Sequence, residues 1–278
     1  MPLVAMTREM GSLGKDVAAG LAARSNRKVV YQEIIEPLAN KMRLRKSHVE
    51  RFLEGKSGIW ERLTTDRTSL SIFTADETFR FLRDGSTAVI RGWGAAHLLK
   101  DVPHVVRVRI CAPLEIRVTR MMQRLATENR AAIESEIQLS EEAHSAITRR
   151  HFGVNWKDAE HYDLVLCTER LSVDECVEEV ASMMQKKCFQ ETPESMRKLA
   201  NLALEWSVRS ALRRDERTAD ASFTVECTDA VAKLAGVVDT QAEASAAGEV
   251  AGAVEGVKSV DNQLKAASSA ASRFRREG

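Results

Sequence analysis

The chain has 278 residues, enough for roughly two domains at about 150 residues each. Its 41 Lys plus Arg nearly balance its 40 Asp plus Glu, and the formal net charge is +1. No global charge therefore draws the chain onto nucleic acid or anionic lipid, so any binding must be local. Hydrophobic residues at 44% and charged residues at 29% exclude wholesale disorder and a disulfide-dense scaffold.

Targeting and metal signals are weak. Apolar runs such as HVVRVRIC are too short and too interrupted to cross a bilayer. The N-terminus lacks a basic region followed by an apolar run, which predicts cytoplasmic residence. Neither the five cysteines nor the six histidines show metal-ligand spacing, and we interpret the cysteines as reduced packing residues.

Apolar strands alternate with helical patterns in the first part of the chain. Strands are predicted at Leu3–Thr7, Ala88–Arg91, Val105–Cys111 and Asp163–Cys167. The last leads into a helix over 172–187, with Ser172 as its N-cap. Such alternation predicts an α/β fold with a parallel sheet and helices on both faces.

Two long polar helical segments, Ile34–Phe52 and Arg117–Arg150, are predicted as insertions over a site. After Glu191-Thr192-Pro193 the pattern changes to a helix over 196–213, alternating segments, an alanine-rich helix and a last strand over 257–264. We therefore predict a second, smaller α+β unit. The predicted boundaries are a first domain over 1–190, a linker over 191–199, a second domain over 200–265 and a flexible tail over 266–278.

The turn after the first strand is the most informative stretch. It reads TREMGSLGKD, and its predicted phosphate-binding residues are Gly11, Ser12, Leu13, Gly14, Lys15 and Asp16. Glycines let the backbone approach a phosphate oxygen, and main-chain amides at a helix N-terminus favour negative charge. Lys15 can reach between the terminal phosphates as a mobile point charge. This pattern predicts a P-loop.

The loop departs from the common P-loop pattern in two places. A full G-x-x-x-x-G-K-[ST] needs glycine at Glu9 and a hydroxyl at Asp16. Asp16 either binds the metal or repels phosphate. The alternative interpretation is that Gly11 and Gly14 only shape a tight turn before an exposed lysine.

Five strings in order resemble the cytidylate kinase-like family of nucleoside monophosphate kinases: TREMGSLGKDVAAGLA, YQEII, AVIRGWGAAHLL, VRVRICAPLEIRVTRM and RRHFGVNWKDAEHYDLVLCTERLS. The resemblance implies a P-loop three-layer sheet with a helical lid, and ATP with Mg²⁺ as cofactors. It implies catalytic roles for Lys15, Arg149 and Arg150, and substrate binding by Arg91 and Glu33. A solvated basic helix end is the other interpretation of Arg149 and Arg150.

Other residues depart from that family's pattern. Gly92-Trp93-Gly94 stands where the family has Gly-Arg-Gly, with Arg91 one position earlier, and Cys167 stands where an asparagine is expected. The acidic and basic pair expected before the lid arginines is replaced around Ser140–His144. Two hypotheses therefore remain open: an ATP-dependent nucleoside monophosphate kinase, or a catalytically degenerate nucleotide-binding sensor or scaffold.

The region 200–265 resembles a BON domain, a small α+β module. The resemblance rests on the helix end Val208–Arg213, the alternating FTVEC, LAGV, and VEGV with Val260 and Asn262. BON domains are associated with attachment to membranes, lipids or partner proteins. The resemblance implies a localising or regulatory role without chemistry of its own.

Overall fold

The computed structural model describes residues 2–30, 67–83, 85–92 and 94–267. These residues fall into two compact units, one comprising residues up to 67 and 81–196, and the other comprising 68–80 and 197 onward. None of the helices described in these ranges is long and apolar enough to cross a membrane.

The first unit is built on a five-stranded sheet with the order β2-β3-β1-β4-β5, and all of its paired neighbours are parallel. Its strands are β1 (Leu3–Arg8), β2 (Lys28–Val30), β3 (Thr87–Arg91), β4 (Val105–Cys111) and β5 (Leu164–Cys167). Its helices are α1 (Gly14–Ser25), the end of α2 (Arg67–Leu82), α3 (Ala95–Leu98), α4 (Leu114–Leu125), α5 (Arg130–Phe152), α6 (Val173–Met184) and the start of α7 (Pro193–Arg214).

β1 is central because it pairs with β3 on one side and β4 on the other. Its near-continuous apolar sequence suits a strand that is buried on both faces. Val4 and Met6 pack with Val17 and Leu21 of α1 in the main core. The chain order reverses across β1, and in open parallel sheets ligands bind at the carboxyl edge of such a switch point.

Local signals fix the helices that border this edge. α1 ends at Asn26, a left-handed residue (φ 50°) whose N–H donates to the carbonyl oxygens of Ala22 and Ala23. α6 begins with a capping box in which Ser172 and Glu175 bond each other's backbone N–H. This confirms Ser172 as the predicted N-cap.

The second unit contains a three-stranded sheet with the order β6-β7-β8. Its elements are β6 (Thr224–Thr228), β7 (Val231–Val238), α8 (Gln241–Gly252) and β8 (Ser259–Ala266), together with most of α7. β6 pairs antiparallel and β8 parallel with β7. Leu204, Val208 and Leu212 of α7 pack in one core with the inward side chains of the sheet.

Residues 68–80 of α2 belong to this second unit although they precede β3 in the sequence. Ser207 Oγ of α7 donates to Asp76 Oδ1 at 2.9 Å, and Arg213 Nε donates to Ser69 Oγ at 2.5 Å. The side of α7 that carries Ser207 therefore faces a helix drawn from the first half of the chain.

The predicted strands and the order of elements in both units are confirmed. β2 and α2 were not predicted. The predicted segment Arg117–Arg150 spans two helices, because Ala126 takes a left-handed conformation (φ 49°) and Asn129 caps a new helix. Residues 193–199 of the predicted linker lie in α7, whereas Ile34–Phe52 and residues 268–278 lie outside the described ranges.

Replacing Leu234 tests the core of the second unit. Leu234 is fully buried on β7, so Leu234→Ala is expected to lower the free energy of unfolding by about 2–5 kcal/mol. Val231→Ala on the same strand is the control because that side chain is 38% exposed. Denaturant unfolding followed by circular dichroism measures both, and equal losses would contradict this packing.

Candidate phosphate-binding site

The loop between β1 and α1 is held by bonds at its base. The amide of Glu9 donates to the carbonyl of Ile110 at 3.0 Å. The amide and hydroxyl of Ser12 both donate to the carbonyl of Glu9, at 3.2 and 2.8 Å. The hydroxyl of Thr168 donates to the carbonyl of Ser12 at 2.9 Å. The carbonyl groups at the base of the loop are thus satisfied inside the protein.

Four other amides of the loop, the rim amides, lack a hydrogen-bond acceptor among the described residues. Within the described part of the chain, no acceptor receives the N–H groups of Gly11, Leu13, Gly14 or Lys15. The last two open α1, where the first-turn amides have no partner within the helix and carry partial positive charge. Such a loop can bind an anion through its backbone.

Two glycines are required by close packing. Gly11 has φ +80°, and a Cβ there would lie 2.8 Å from the carbonyl oxygen of Arg117. A Cβ on Gly14 would lie 2.7 Å from Cβ of Arg8. Leu13 takes the left-handed conformation (φ 61°), which is costly for a leucine.

A cleft of about 550 Å³ opens above the loop. Among the described residues its lining is Arg8, Gly11, Ser12, Leu13, Gly14, Lys15, Asp16, Arg120, Met121, Gln123 and Arg124. Four of these side chains are cationic and one is a carboxylate, so the cleft favours polyanions. Its size lies in the usual range for small-molecule sites.

Sequence reasoning missed Arg8, Arg120 and Arg124. Arg120 is held in place because its guanidinium donates to Thr168 Oγ1 at 2.9 Å and to the Thr168 carbonyl at 2.7 Å. Arg120 and Arg124 are one helical turn apart on α4, which follows the strand next to β1. That spacing was the available signal.

The remaining predicted site residues are not among the described residues that line the cleft. Arg91 ends β3, is 8% exposed and is in register with Met6. Arg149 and Arg150 are exposed in the last turn of α5 and are not among the described residues that line the cleft. Glu33, like Trp93, lies outside the described ranges. The roles of all these residues stay predictions.

The donor set suits a nucleotide phosphate chain with Mg²⁺. Mg²⁺ prefers a carboxylate or two together with phosphate oxygens and water. Asp16, exposed in the first turn of α1, is the carboxylate that lines the cleft within the described chain. The described residues contain no group of three side chains that could hold a metal ion by themselves.

Two histidines of the first unit, the half-buried His144 and the buried His97, pack against other aromatic rings. His144 stacks flat on Trp156 with 4.2 Å between ring centroids, and its Nε2 atom is buried. Burial lowers the pKa of His144 to about 3, helped by the charge of His97. Burial also lowers the pKa of His97 to about 4, and the neighbouring charge of His161 adds to this effect. Both rings are neutral at pH 7.

Two family profiles match this chain. The sequence profile of the cytidylate kinase-like family matches residues 3–170, and that of the BON domain matches residues 202–268. Cytidylate kinase from Sulfurisphaera tokodaii is 30% identical over 133 residues, covering 46% of this chain and 72% of that protein.

For the second unit, osmotically-inducible protein Y from Escherichia coli is 35% identical over 99 residues. The match covers 35% of this chain and about half (49%) of that protein. Among solved structures, an uncharacterized protein from Eubacterium ventriosum has a TM-score of 0.52 at 17% identity. The match covers 67% of this chain and 100% of that one, and it supports the fold alone.

The fold defines an α/β protein with a five-stranded parallel sheet, followed by a separate small α+β unit. The chain belongs to the cytidylate kinase-like family and carries a BON domain after it. The resemblances found in the sequence are thereby confirmed.

Adding a methyl group to Gly11 tests the loop geometry. Gly11→Ala strains a positive φ and places Cβ against Arg117, so we expect at least a tenfold loss of Mg²⁺-ATP affinity. Gly85→Ala is the control, because Gly85 has φ +67° with no atom within 4 Å of the added Cβ. Calorimetry that finds equal affinities in the two variants would contradict the tight loop.

Acid should destabilise the first unit through its buried histidines. Between pH 6.5 and about 4 the unfolded chain binds a proton at His97 that the folded chain excludes. The stability that comes from a neutral His97 in the folded chain is therefore complete above pH 6.5, and it is lost as the pH falls toward 4. His97→Asn should reduce the slope of unfolding free energy against pH by up to about 1.4 kcal/mol per unit. An unchanged slope in chemical unfolding would refute this assignment.

Proposed function

We propose that this chain transfers the γ-phosphoryl group of ATP to a nucleoside monophosphate, with cytidylate as the leading acceptor. The observation that carries the proposal is a set of loop amides that have no acceptor within the described chain, in residues that line a cleft together with four cationic side chains. Family membership and the identity to a cytidylate kinase support the same reaction.

In this mechanism the chain acts by positioning and charge neutralisation, which dominate catalysis of phosphoryl transfer. The amides of Gly11, Leu13, Gly14 and Lys15 bind the β- and γ-phosphate oxygens. The ammonium group of Lys15, exposed at the start of α1, stays in contact with the phosphoryl group as it is transferred. Arg120, fixed by Thr168, stabilises the negative charge on the donor.

The acceptor side is assigned from the family resemblance. Arg91 and Glu33 bind the monophosphate, and Arg149 and Arg150 contact the transferring group when α5 closes as a lid. Asp16, which stands where the P-loop pattern has a hydroxyl, would help to hold Mg²⁺, and the metal would neutralise charge on the phosphates. Ser12 and Gly14 shape the loop.

The second unit serves localisation or regulation. We assign 1–190 to the kinase-like domain, 191–199 to a linker, 200–265 to the BON domain and 266–278 to a flexible tail. The BON domain binds a protein or lipid partner, and the chain resides in the cytoplasm. The BON profile match supports a binding role for this unit.

One observation favours a second candidate function. Asp16 lines the cleft with a carboxylate where the P-loop pattern has a hydroxyl, and a carboxylate repels phosphate unless a metal ion lies between them. A catalytically degenerate protein would bind nucleotide and report the bound state through its BON domain. Turnover separates the two functions.

The test is phosphoryl transfer from ATP to a panel of nucleoside monophosphates, measured as acceptor-dependent ADP release. Lys15→Ala is expected to lower the rate about 100-fold or more, because it removes a charge from the transition state. Lys186→Ala, which changes an exposed lysine after α6, is the matched control.

Equal rates for wild-type protein and Lys15→Ala would contradict the assigned site. Binding of Mg²⁺-ATP without turnover on any acceptor would replace the kinase with the sensor. Absence of both binding and turnover would overturn both functions.

A further inference from the structure

Glu9 occupies the loop position where the common P-loop pattern has glycine, and its carboxylate is buried beneath the loop with 7% exposure. Oε1 accepts a hydrogen bond from Arg109 Nη2 at 2.6 Å. Oε2 accepts one from the Ala112 amide at 3.2 Å and lies 3.4 Å from Arg117 Nε. A buried carboxylate needs this degree of pairing, because its burial is otherwise costly.

Arg117 extends these contacts to two other parts of the site. Its Nε donates to the Ala112 carbonyl at 2.9 Å, and its Nη1 lies 3.4 Å from the carbonyl oxygen of Met10 in the loop. The same Nη1 is 2.8 Å from Glu141 Oε1 on α5. One guanidinium therefore contacts α5, the loop and the Glu9 carboxylate.

Lys157 closes the set into a ring. Its Nζ lies 2.5 Å from Glu141 Oε2, and its carbonyl accepts a hydrogen bond from Arg109 Nη1 at 2.6 Å. Burial acts to raise the pKa of Glu141, but the hydrogen bond from Lys157 and the charge of Arg117 outweigh it and hold that pKa below its usual value. The ring thus contains three cationic side chains and two carboxylates.

The ring also explains how the loop tolerates an acidic residue. A free carboxylate at the base of a phosphate loop would weaken binding by like-charge repulsion. Here Arg109 and Arg117 both pair with the Glu9 carboxylate, and the five side chains of the ring together are cationic. This pairing offsets the electrostatic penalty of an acidic residue in the loop.

We propose that Glu9 is a positioning residue, which fixes the phosphate loop through Arg109 and Arg117 and couples the loop to α5 through Glu141. Its ring joins the two parts of the protein that contain predicted catalytic residues: the loop, with Lys15, and the helix that ends with Arg149 and Arg150. The inference rests on the proposed phosphate-binding function and adds to it a residue that does not touch the ligand.

The sharpest test compares two ion pairs on the same strand. Glu9→Gln keeps the shape of the side chain but removes the charge that Arg109 and Arg117 require. Asp163→Asn is the matched control, because Asp163 forms an ion pair with Arg107 of β4 at 2.7 Å outside the ring. Both variants lose a partly buried ion pair of the first unit.

We expect Glu9→Gln to weaken binding of Mg²⁺-ATP and of inorganic tripolyphosphate about tenfold, measured by calorimetry on the full chain. We expect kcat to fall by about 10- to 100-fold, because small displacements of positioned groups are costly in catalysis. Asp163→Asn should shift the melting temperature to a similar extent but leave affinity and kcat within about twofold. Glu141→Gln, which removes the charge that Arg117 and Lys157 contact on α5 and leaves Glu9 unchanged, should lower kcat with little change in affinity.

If Glu9→Gln and Asp163→Asn have equal affinity and equal kcat, Glu9 has only a structural role. That result would overturn the proposal. If Glu9→Gln does not fold, an unchanged kcat in Glu141→Gln overturns the coupling and a lowered kcat supports it. Failure of the proposed function looks different, because it shows in the wild-type protein itself, which would then bind neither tripolyphosphate nor ATP, or would bind ATP without turning over any acceptor.

Discussion

Everything in the proposed chemistry depends on a few backbone N–H groups with no acceptor in the described protein. They lie where β1 ends and α1 begins, at the switch point of the parallel sheet. The carbonyls of Glu9 and Ser12, by contrast, are bonded within the protein at the base of the loop. The loop can therefore bind an anion, and the cationic side chains around it favour the same charge.

The two glycines, the ring beneath the loop and α4 all maintain this one geometry. Gly11 allows the loop to approach Arg117 closely, and the side chain of Arg117 contacts the loop again at Met10. Arg120 on the same helix is held through Thr168, whose hydroxyl also bonds the loop. α4 thus both packs against the phosphate loop and brings guanidinium groups to its cleft.

Much of the fold follows from local patterns, and the rest depends on tertiary contacts. The strands of the main sheet and the order of elements in the second unit are readable as apolar runs or alternation with clear turn residues. β2 is three residues long, too short to give a periodic signal. α2 is rich in Ser and Thr, and its residues 68–80 are stabilised within the second unit, which no local pattern reveals. The structural units consequently differ from the profile matches, since residues 68–80 lie within the span 3–170.

The same distinction applies to the site. The residues from Gly11 to Asp16 are contiguous, so a motif could identify them, and they line the cleft together. Arg120 and the partners of Glu9 are distant from the loop in sequence, and the partners of Glu9 are brought to it by the register of β1 with β4. Arg109 is paired with Thr7 in that register, which brings its guanidinium within reach of the next acidic residue, Glu9. No spacing rule in a single sequence contains that information.

The most direct test of the central claim is a backbone amide NMR spectrum of the full chain, recorded with and without Mg²⁺-ATP. If the rim amides hold the phosphates, the largest shifts on ATP binding fall on Gly11, Leu13, Gly14 and Lys15, and inorganic tripolyphosphate produces the same pattern. Binding of ATP without any chemical-shift change at these four amides would contradict the assignment of the phosphate site.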